Sequence, residues 1–147
     1  MLAGTRKIID GVTCNATATV YSKSLQDNPA QATNSWIDAS YGEAFSVWVN
    51  VSSATGTGNV TVYADLSPLS PKGHGMAYDA TTTQYYTAFT LGTVTSDNVL
   101  AMFSAADLGK YNLDYPFVSM RIRVTGTGSN PTDTVVTAYL VVASTRV

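Results

Sequence analysis

The chain has 147 residues, 12% of them charged, and its formal net charge at pH 7 is −2. This length suits one domain with a core of its own, and so small a charge gives no field that would attract nucleic acid. The one cysteine, Cys14, has no partner for an intrachain disulfide. The N-terminus carries no apolar signal-peptide core, and no apolar run approaches the roughly 18 residues of a membrane span.

Hydroxyl groups dominate the polar side chains of the sequence. There are 21 Thr and 14 Ser against a single Glu, Glu43, and four Lys. Thr, Val and Tyr favour strands, whereas Glu, Lys, Gln and Arg are the usual surface residues of helices. The composition therefore predicts an all-β protein.

The first ten residues look like a short terminal arm. They contain two basic and two aliphatic side chains in succession, Arg6, Lys7, Ile8 and Ile9. Such a segment is either the start of the first strand or a flexible piece that orders on a neighbouring subunit. We predict an N-terminal arm over residues 1–10 and one β-sandwich domain over residues 11–147, with these four side chains as interface candidates.

Alternating apolar runs follow the arm. The pattern predicts strands from Val12 to Tyr21, from Trp36 to Asp38 and from Ala44 to Ser52, with a loop from Lys23 to Ser35. In the third run one face is apolar, formed by Phe45, Val47, Val49 and Val51. Trp48 lies on the opposite, polar face, where it either stacks on a neighbouring subunit or covers the sheet surface.

The middle of the chain alternates short strands with turns. We predict a strand through Val60, Val62 and Ala64, two more at Tyr85–Leu91 and Val99–Phe103, and one helical turn at Ser104–Gly109. The segment from Ser67 to Tyr78 is the longest irregular one and contains the only histidine, His74.

The last third reads as a hairpin. Its first strand carries Arg121 and Arg123 on the polar face, and a Gly- and Pro-containing loop follows. Its return strand, Thr134 to Val142, is apolar on both faces, which predicts a central strand covered on each side by a second sheet or another subunit. The whole pattern predicts a two-sheet antiparallel sandwich of about eight strands, of jelly-roll type, with one short helical turn.

The sequence offers no constellation for catalysis, and we expect no enzyme activity, cofactor or metal. His74 has no second histidine, and a zinc site needs about four ligands. No Gly-x-Ser-x-Gly elbow presents a nucleophile beside it. We interpret His74 as a loop residue that packs or makes a subunit contact. Arg121 and Arg123 we interpret as solvated arginines on an edge or at a subunit contact, in preference to a phosphate site.

The C-terminal third resembles small structural proteins of tailed bacteriophages. The resemblance rests on four stretches: Tyr115-Pro116-Phe117, the Arg-x-Arg strand, Gly-Thr-Gly-Ser-Asn-Pro and the strand 134–142. Trp36-Ile37-Asp38 is compatible with it. The resemblance implies a head decoration (cement) protein or another accessory virion component. Such a protein would bind the major capsid protein on the outer capsid surface, stabilise the shell and act as a homo-oligomer, with a homotrimer expected.

A carbohydrate- or receptor-binding module of a phage fibre or tail is the alternative. Its marker would be a row of aromatic rings on one exposed face, and Trp36, Trp48 and Tyr63 are the candidates. A glycan array distinguishes this alternative from the decoration protein. A virion-binding assay distinguishes both from a hydrolase, the third class of protein considered. Tyr63 and Trp48 are interface candidates under either interpretation.

Overall fold

A computed structural model describes residues 2–22, 36–38, 44–68, 87–96, 101–103 and 119–144. Within these ranges the chain forms nine strands, which are β1 (Leu2–Thr13), β2 (Thr19–Tyr21), β3 (Ile37–Asp38), β4 (Ala44–Ser52), β5 (Asn59–Ser67), β6 (Thr87–Thr95), β7 (Ala101–Phe103), β8 (Ser119–Gly126) and β9 (Val135–Ser144). None of the same ranges contains a helix that is long and apolar enough to cross a membrane.

The strands form two antiparallel sheets. Sheet A has the order β1-β9-β4-β7 and sheet B the order β2-β8-β5-β6, with β3 also paired to β8. The prediction of an all-β, two-sheet antiparallel sandwich is confirmed. The central position predicted for the run at 134–142 is confirmed as well, because β9 lies between β1 and β4. The jelly-roll type stays a prediction, and the expected helical turn at 104–109 lies outside the described residues.

The core lies between the two sheets and follows the alternation of the strands. In β4 the predicted apolar face is buried, with Phe45 2% exposed and Val47 and Val49 fully buried. The other inner faces contribute Val136, Ala138 and Leu140 from β9, Val60, Val62, Ala64 and Leu66 from β5, and Met120, Ile122 and Val124 from β8. Every second side chain of these strands thus points inward, and the inward side chains of the two sheets meet in one apolar layer.

The predicted N-terminal arm is wrong. Leu2 to Lys7 pair residue by residue with Ser144 to Tyr139, so this segment is part of sheet A. Ile8 and Ile9 are each 1% exposed in the core, and two register shifts in β1 allow these neighbours both to point inward. A partner subunit is not needed to cover them, and the boundary at residues 10/11 does not separate an arm from the sandwich.

The first strand predicted from Val12 to Tyr21 is also wrong in its extent. β1 ends at Thr13, a turn follows, and β2 begins only at Thr19. Gly11 at the end of β1 has a φ of 59°, which a residue with a side chain rarely adopts. The predicted loops around Lys23–Ser35 and His74 fall outside the described residues.

Asn130 ties together three loops at one end of the sandwich. Its Nδ2 donates to the carbonyl oxygens of Cys14 (3.1 Å) and Asn59 (2.9 Å). Its Oδ1 accepts from the backbone N–H of Asn59 (2.8 Å) and from Thr127 Oγ1 (3.0 Å). The buried Asn130 amide thus supplies hydrogen-bond partners to backbone groups of Cys14 and Asn59 at this end of the sandwich.

Asp133 makes a second tie between two of these loops, those that follow β4 and β8. Its carboxylate accepts from Thr55 Oγ1 (2.7 Å), the backbone N–H of Ala54 (2.9 Å) and Ser53 Oγ (3.1 Å). The Thr55 hydroxyl, followed by the Ala54 N–H, lowers the pKa of Asp133 below its ordinary value because both stabilise the charged form.

Candidate functional site

The outer face of sheet A, called the A face below, is a solvent-facing aromatic surface. Its middle cross-strand row joins Lys7 on β1, Tyr139 on β9 and Trp48 on β4. The next row joins Thr5, Val141 and Ser46. Tyr139 and Trp48 are half-buried, although they lie on the two inner strands of the sheet.

Contacts within the A face hold its aromatic rings in place. Trp48 Nε1 donates to Ser46 Oγ at 3.1 Å, which directs the indole along β4. The ammonium of Lys7 lies 5.9 Å from the ring centroid of Tyr139, and it also pairs with Asp10 at 3.2 Å. Rings that are already held lose little conformational entropy when a partner binds.

The A face contains a shallow groove of about 360 Å³. It is lined by Thr5, Ser46, Trp48, Tyr139 and Val141. These residues come from two adjacent cross-strand rows, one with short side chains and one with the two rings. The groove offers two aromatic rings and several hydroxyls, a set suited to noncovalent contact.

The outer face of sheet B, called the B face, carries an ion cluster. Asp65 accepts from Arg121 through Nε at 2.9 Å and Nη2 at 2.8 Å. The same carboxylate accepts from Arg123 through Nε and Nη2, both at 3.2 Å. The side chains of Asp65 and Arg121 are 0% and 1% exposed, and that of Arg123 is 21% exposed.

Aromatic rings complete this cluster. The guanidinium carbon of Arg121 lies 4.5 Å from the ring centroid of Tyr21 and 4.8 Å from that of Trp36. The corresponding carbon of Arg123 lies 4.3 Å from the ring of Tyr63. Guanidinium groups stack well on aromatic faces, so the rings stabilise the two cations as they leave water.

The interpretation of Arg121 and Arg123 as solvated edge residues is therefore wrong. β8 is an inner strand of sheet B, and its Arg121 is buried against Asp65 of β5. The cause is the β5–β8 register, which sets Asp65 directly opposite Arg121. Local alternation identified the polar face of β8 but could not reveal what covers it.

The structure divides the remaining predicted site residues between the two faces. Lys7 and Trp48 lie on the A face, and Tyr63 lies on the B face. The proposed aromatic row of Trp36, Trp48 and Tyr63 does not exist, because Trp48 is on sheet A and Trp36 is 2% exposed over Arg121 on sheet B. Arg6 is exposed on β1. His74 lies outside the described part of the chain.

Tyr139 and Val141 are site residues that sequence reasoning did not single out. The signal was present, because the return strand was predicted to be apolar on both faces. One face of β9 enters the core, and the other forms the centre of the A face. Their proximity to Trp48 depends on the β4–β9 register, which no local pattern contains.

The titratable residues of the described ranges suggest no metal or nucleophile site. No group of three or more His, Cys, Asp or Glu in those ranges could hold a metal ion. Cys14 is fully buried, and burial raises the pKa of its thiol. A buried thiol with a raised pKa is poorly suited to act as a nucleophile.

No protein-family model matches the sequence, and no curated protein matches it. Among solved structures, a chain of turnip yellow mosaic virus is similar at 12% identity with a TM-score of 0.36, over 97% of this chain and 81% of that one. A family 29 carbohydrate-binding module from Piromyces equi is similar at 12% identity and a TM-score of 0.41, over 99% and 94%.

A Clostridium thermocellum xylanase structure with CBM22-1 and GH10 modules is similar at 10% identity and a TM-score of 0.39, over 96% of this chain and 29% of that one. These similar structures are viral proteins and carbohydrate-binding modules, all at low identity. At these identities and TM-scores, the likeness carries no argument about function.

Proposed function

We propose that this chain is a structural virion protein that binds the outer surface of a bacteriophage capsid and stabilises the shell. The resemblance of the C-terminal hairpin to phage structural proteins supports assignment to this class of virion protein. The A face carries the proposal, since its aromatic and aliphatic centre lies on the two inner strands of a sheet.

A face of this kind suits a contact between proteins. Tyr and Trp supply large contact areas at a low cost in side-chain entropy, and they are enriched among the residues that dominate binding energy. Trp48 is already held by Ser46. The row through Thr5, Val141 and Ser46 bears no charge, so contact with this row requires no desolvated ion pair.

The strand order favours the jelly-roll type. If the two-residue β3 is set aside, eight strands remain, four in each sheet, in the orders β1-β9-β4-β7 and β2-β8-β5-β6. Every connection between consecutive members of these eight then crosses from one sheet to the other, except the β5–β6 hairpin. Two packed four-stranded sheets with crossing connections are the arrangement that viral capsid and lectin domains also use.

The experiment uses capsid shells that lack this protein. Full-length protein is added, and occupancy and the temperature at which shells open are measured. We expect Tyr139→Ala to lower affinity at least tenfold, because a central aromatic contact contributes about 2 kcal/mol or more. Tyr63→Ala is the matched control, the same substitution on the opposite sheet. Equal losses for the two variants, or none for either, would contradict the assignment to the A face.

We further propose that the protein assembles as a homotrimer. Trimeric assembly is what the resemblance to decoration proteins implies, and the protein's own aromatic faces could supply the contacts. Light scattering at micromolar concentration, followed by imaging of decorated shells, tests the stoichiometry. A monomer in both settings would exclude the trimer but leave capsid binding possible.

A carbohydrate-binding role is the second candidate, and the groove is the observation that favours it. Sugar rings present apolar faces that stack on aromatic side chains, and their hydroxyls pair with groups such as those of Thr5 and Ser46. A glycan array with wild type and Trp48→Ala tests this role. Glycan binding that is lost in Trp48→Ala, together with no binding to shells, would favour the carbohydrate-binding role over the virion role.

A further inference from the structure

The open edge of β1 is a surface that none of the functions above uses. Among the described strands, β1 is the outermost of sheet A, and β9 is its one pairing partner. A strand paired on one side directs alternate N–H and C=O groups to solvent, where another strand can bind them. Gly4 to Lys7 are exposed, and a Cβ on Gly4 would meet no atom within 4 Å.

Only the first half of β1 is suited to such pairing. Leu2 to Lys7 match Ser144 to Tyr139 without a register shift, whereas two shifts and Gly11 distort the second half. Bulges of this kind are a common protection of edges. Among the described strands, β2 and β7 have three residues each, and the edge strand β6 contains a shift opposite Val62 and Tyr63. Leu2–Lys7 is therefore the longest regular edge of the described sheets.

We propose that the Leu2–Lys7 edge accepts an extended segment of a partner protein as a fifth strand of sheet A. The segment contains two adjacent acidic residues, which lie opposite Arg6 and Lys7. Adjacent residues of a strand point to opposite faces, so each acid meets one cation. That the partner is a capsid protein rests on the function proposed above.

Charge favours such a partner over a second copy of this chain. Leu2–Lys7 contains two cations and no acid, and Asp10 lies beyond this stretch, where it pairs with Lys7. Two copies joined through this edge would bring four cations together without gaining an anion. An acidic strand compensates both cations, and its outward side chains continue the row of Lys7, Tyr139 and Trp48 on the A face.

The test uses synthetic peptides and the full chain, so that it does not depend on capsid binding. The probe is the acetylated, amidated heptapeptide Thr-Val-Thr-Glu-Glu-Val-Thr, titrated to millimolar concentration while backbone amide resonances are followed by NMR. We expect shifts concentrated in Leu2–Lys7. A peptide with Lys-Lys in place of Glu-Glu should bind more weakly, by about threefold or more, because favourable cross-strand pairs become repulsive.

Arg6→Glu should weaken the acidic peptide by a similar factor. A matched control is the double variant Thr90→Glu and Thr93→Glu, which adds the same negative charge at exposed positions of β6 and should leave binding unchanged. Shifts that avoid β1, or binding indifferent to Arg6→Glu, would overturn the proposal. Shifts of Leu2–Lys7 that grow with protein concentration, without peptide, would identify a second copy as the occupant and overturn it as well.

Hydrogen exchange on shells separates this inference from the proposed function. Shell binding with added protection of the Leu2–Lys7 amides supports both. Shell binding without that protection overturns the edge proposal and leaves capsid binding intact. If the protein binds the peptide at Leu2–Lys7 but does not bind shells, the edge proposal is supported and the virion role is contradicted.

Discussion

Removing the carboxylate of Asp65 should destabilise the sandwich strongly. In Asp65→Asn the volume is kept, but the anion that four guanidinium N–H groups of Arg121 and Arg123 contact at 2.8–3.2 Å is lost. Breaking a buried ion pair from one side costs about 3–5 kcal/mol. Arg123 is 21% exposed and stays partly hydrated, so the lower end, about 3 kcal/mol, is the expected loss.

Urea denaturation followed by tryptophan fluorescence measures this loss, and Trp36, stacked on Arg121, reports on the cluster itself. A domain of this size is stable by about 5–15 kcal/mol, so the variant should fold with a much reduced margin. Its melting temperature should fall by roughly 6–12 °C, at about 2–4 °C per kcal/mol.

Two further variants make the reasoning refutable. Arg121→Met should cost less than Asp65→Asn, because Asp65 keeps its contacts to Arg123. Asp10→Asn removes an exposed partner of Lys7 and should change stability by less than about 0.5 kcal/mol. A loss below about 1 kcal/mol for Asp65→Asn, or the reverse order of the first two variants, would show that the cluster does not stabilise the fold as described.

Three other outcomes follow from the structure. Leu140→Asp buries a charge in the core and should abolish soluble folding, whereas Val141→Asp, one residue on, faces outward and should fold; equal solubility would refute the face assignment. Ala16→Gly should raise the free energy of unfolding by about 0.5–1 kcal/mol, because Ala16 has a φ of 46°; unchanged urea midpoints would refute it. Asp133, whose pKa is lowered chiefly by Thr55, stabilises the fold above the unfolded-state pKa, and that contribution is lost as pH falls through the lower folded-state pKa. Asp133→Asn should therefore flatten the loss of stability below about pH 4, which acid titrations of the urea midpoint can check.

The fold class and the inner faces could be predicted because they depend on local alternation. Phe45, Val47 and Val49 were assigned to one face by period alone, and all three are in the core. β4 was predicted with the bounds that the structure has, Ala44–Ser52. The apolar residues on both faces of the run at 134–142 also predicted a central strand, and β9 lies between β1 and β4.

The N-terminus shows where such reasoning fails. A basic pair followed by the adjacent Ile8 and Ile9 was interpreted as an arm that orders on another subunit. A bulge in β1 turns both inward, and bulges leave little trace in a sequence.

The candidate site was only half predictable for a related reason. Trp48 was recognised as an aromatic ring on a polar face, but Tyr139 becomes its neighbour through pairing of β4 with β9, about ninety residues later in the chain. The same holds for Arg121 and Asp65, which are brought together by the β5–β8 register. Long-range register is set by the whole fold, and these two clusters are its consequences.

The most direct test of the virion role is a cryo-electron microscopy reconstruction of shells that lack this protein, mixed with the purified full chain. The proposed function predicts ordered density for a β-sandwich on the outer surface, with Trp48 and Tyr139 of the A face buried against a neighbouring protein. Undecorated shells at saturating protein concentration, or bound sandwiches whose A face is fully exposed to solvent, would contradict it.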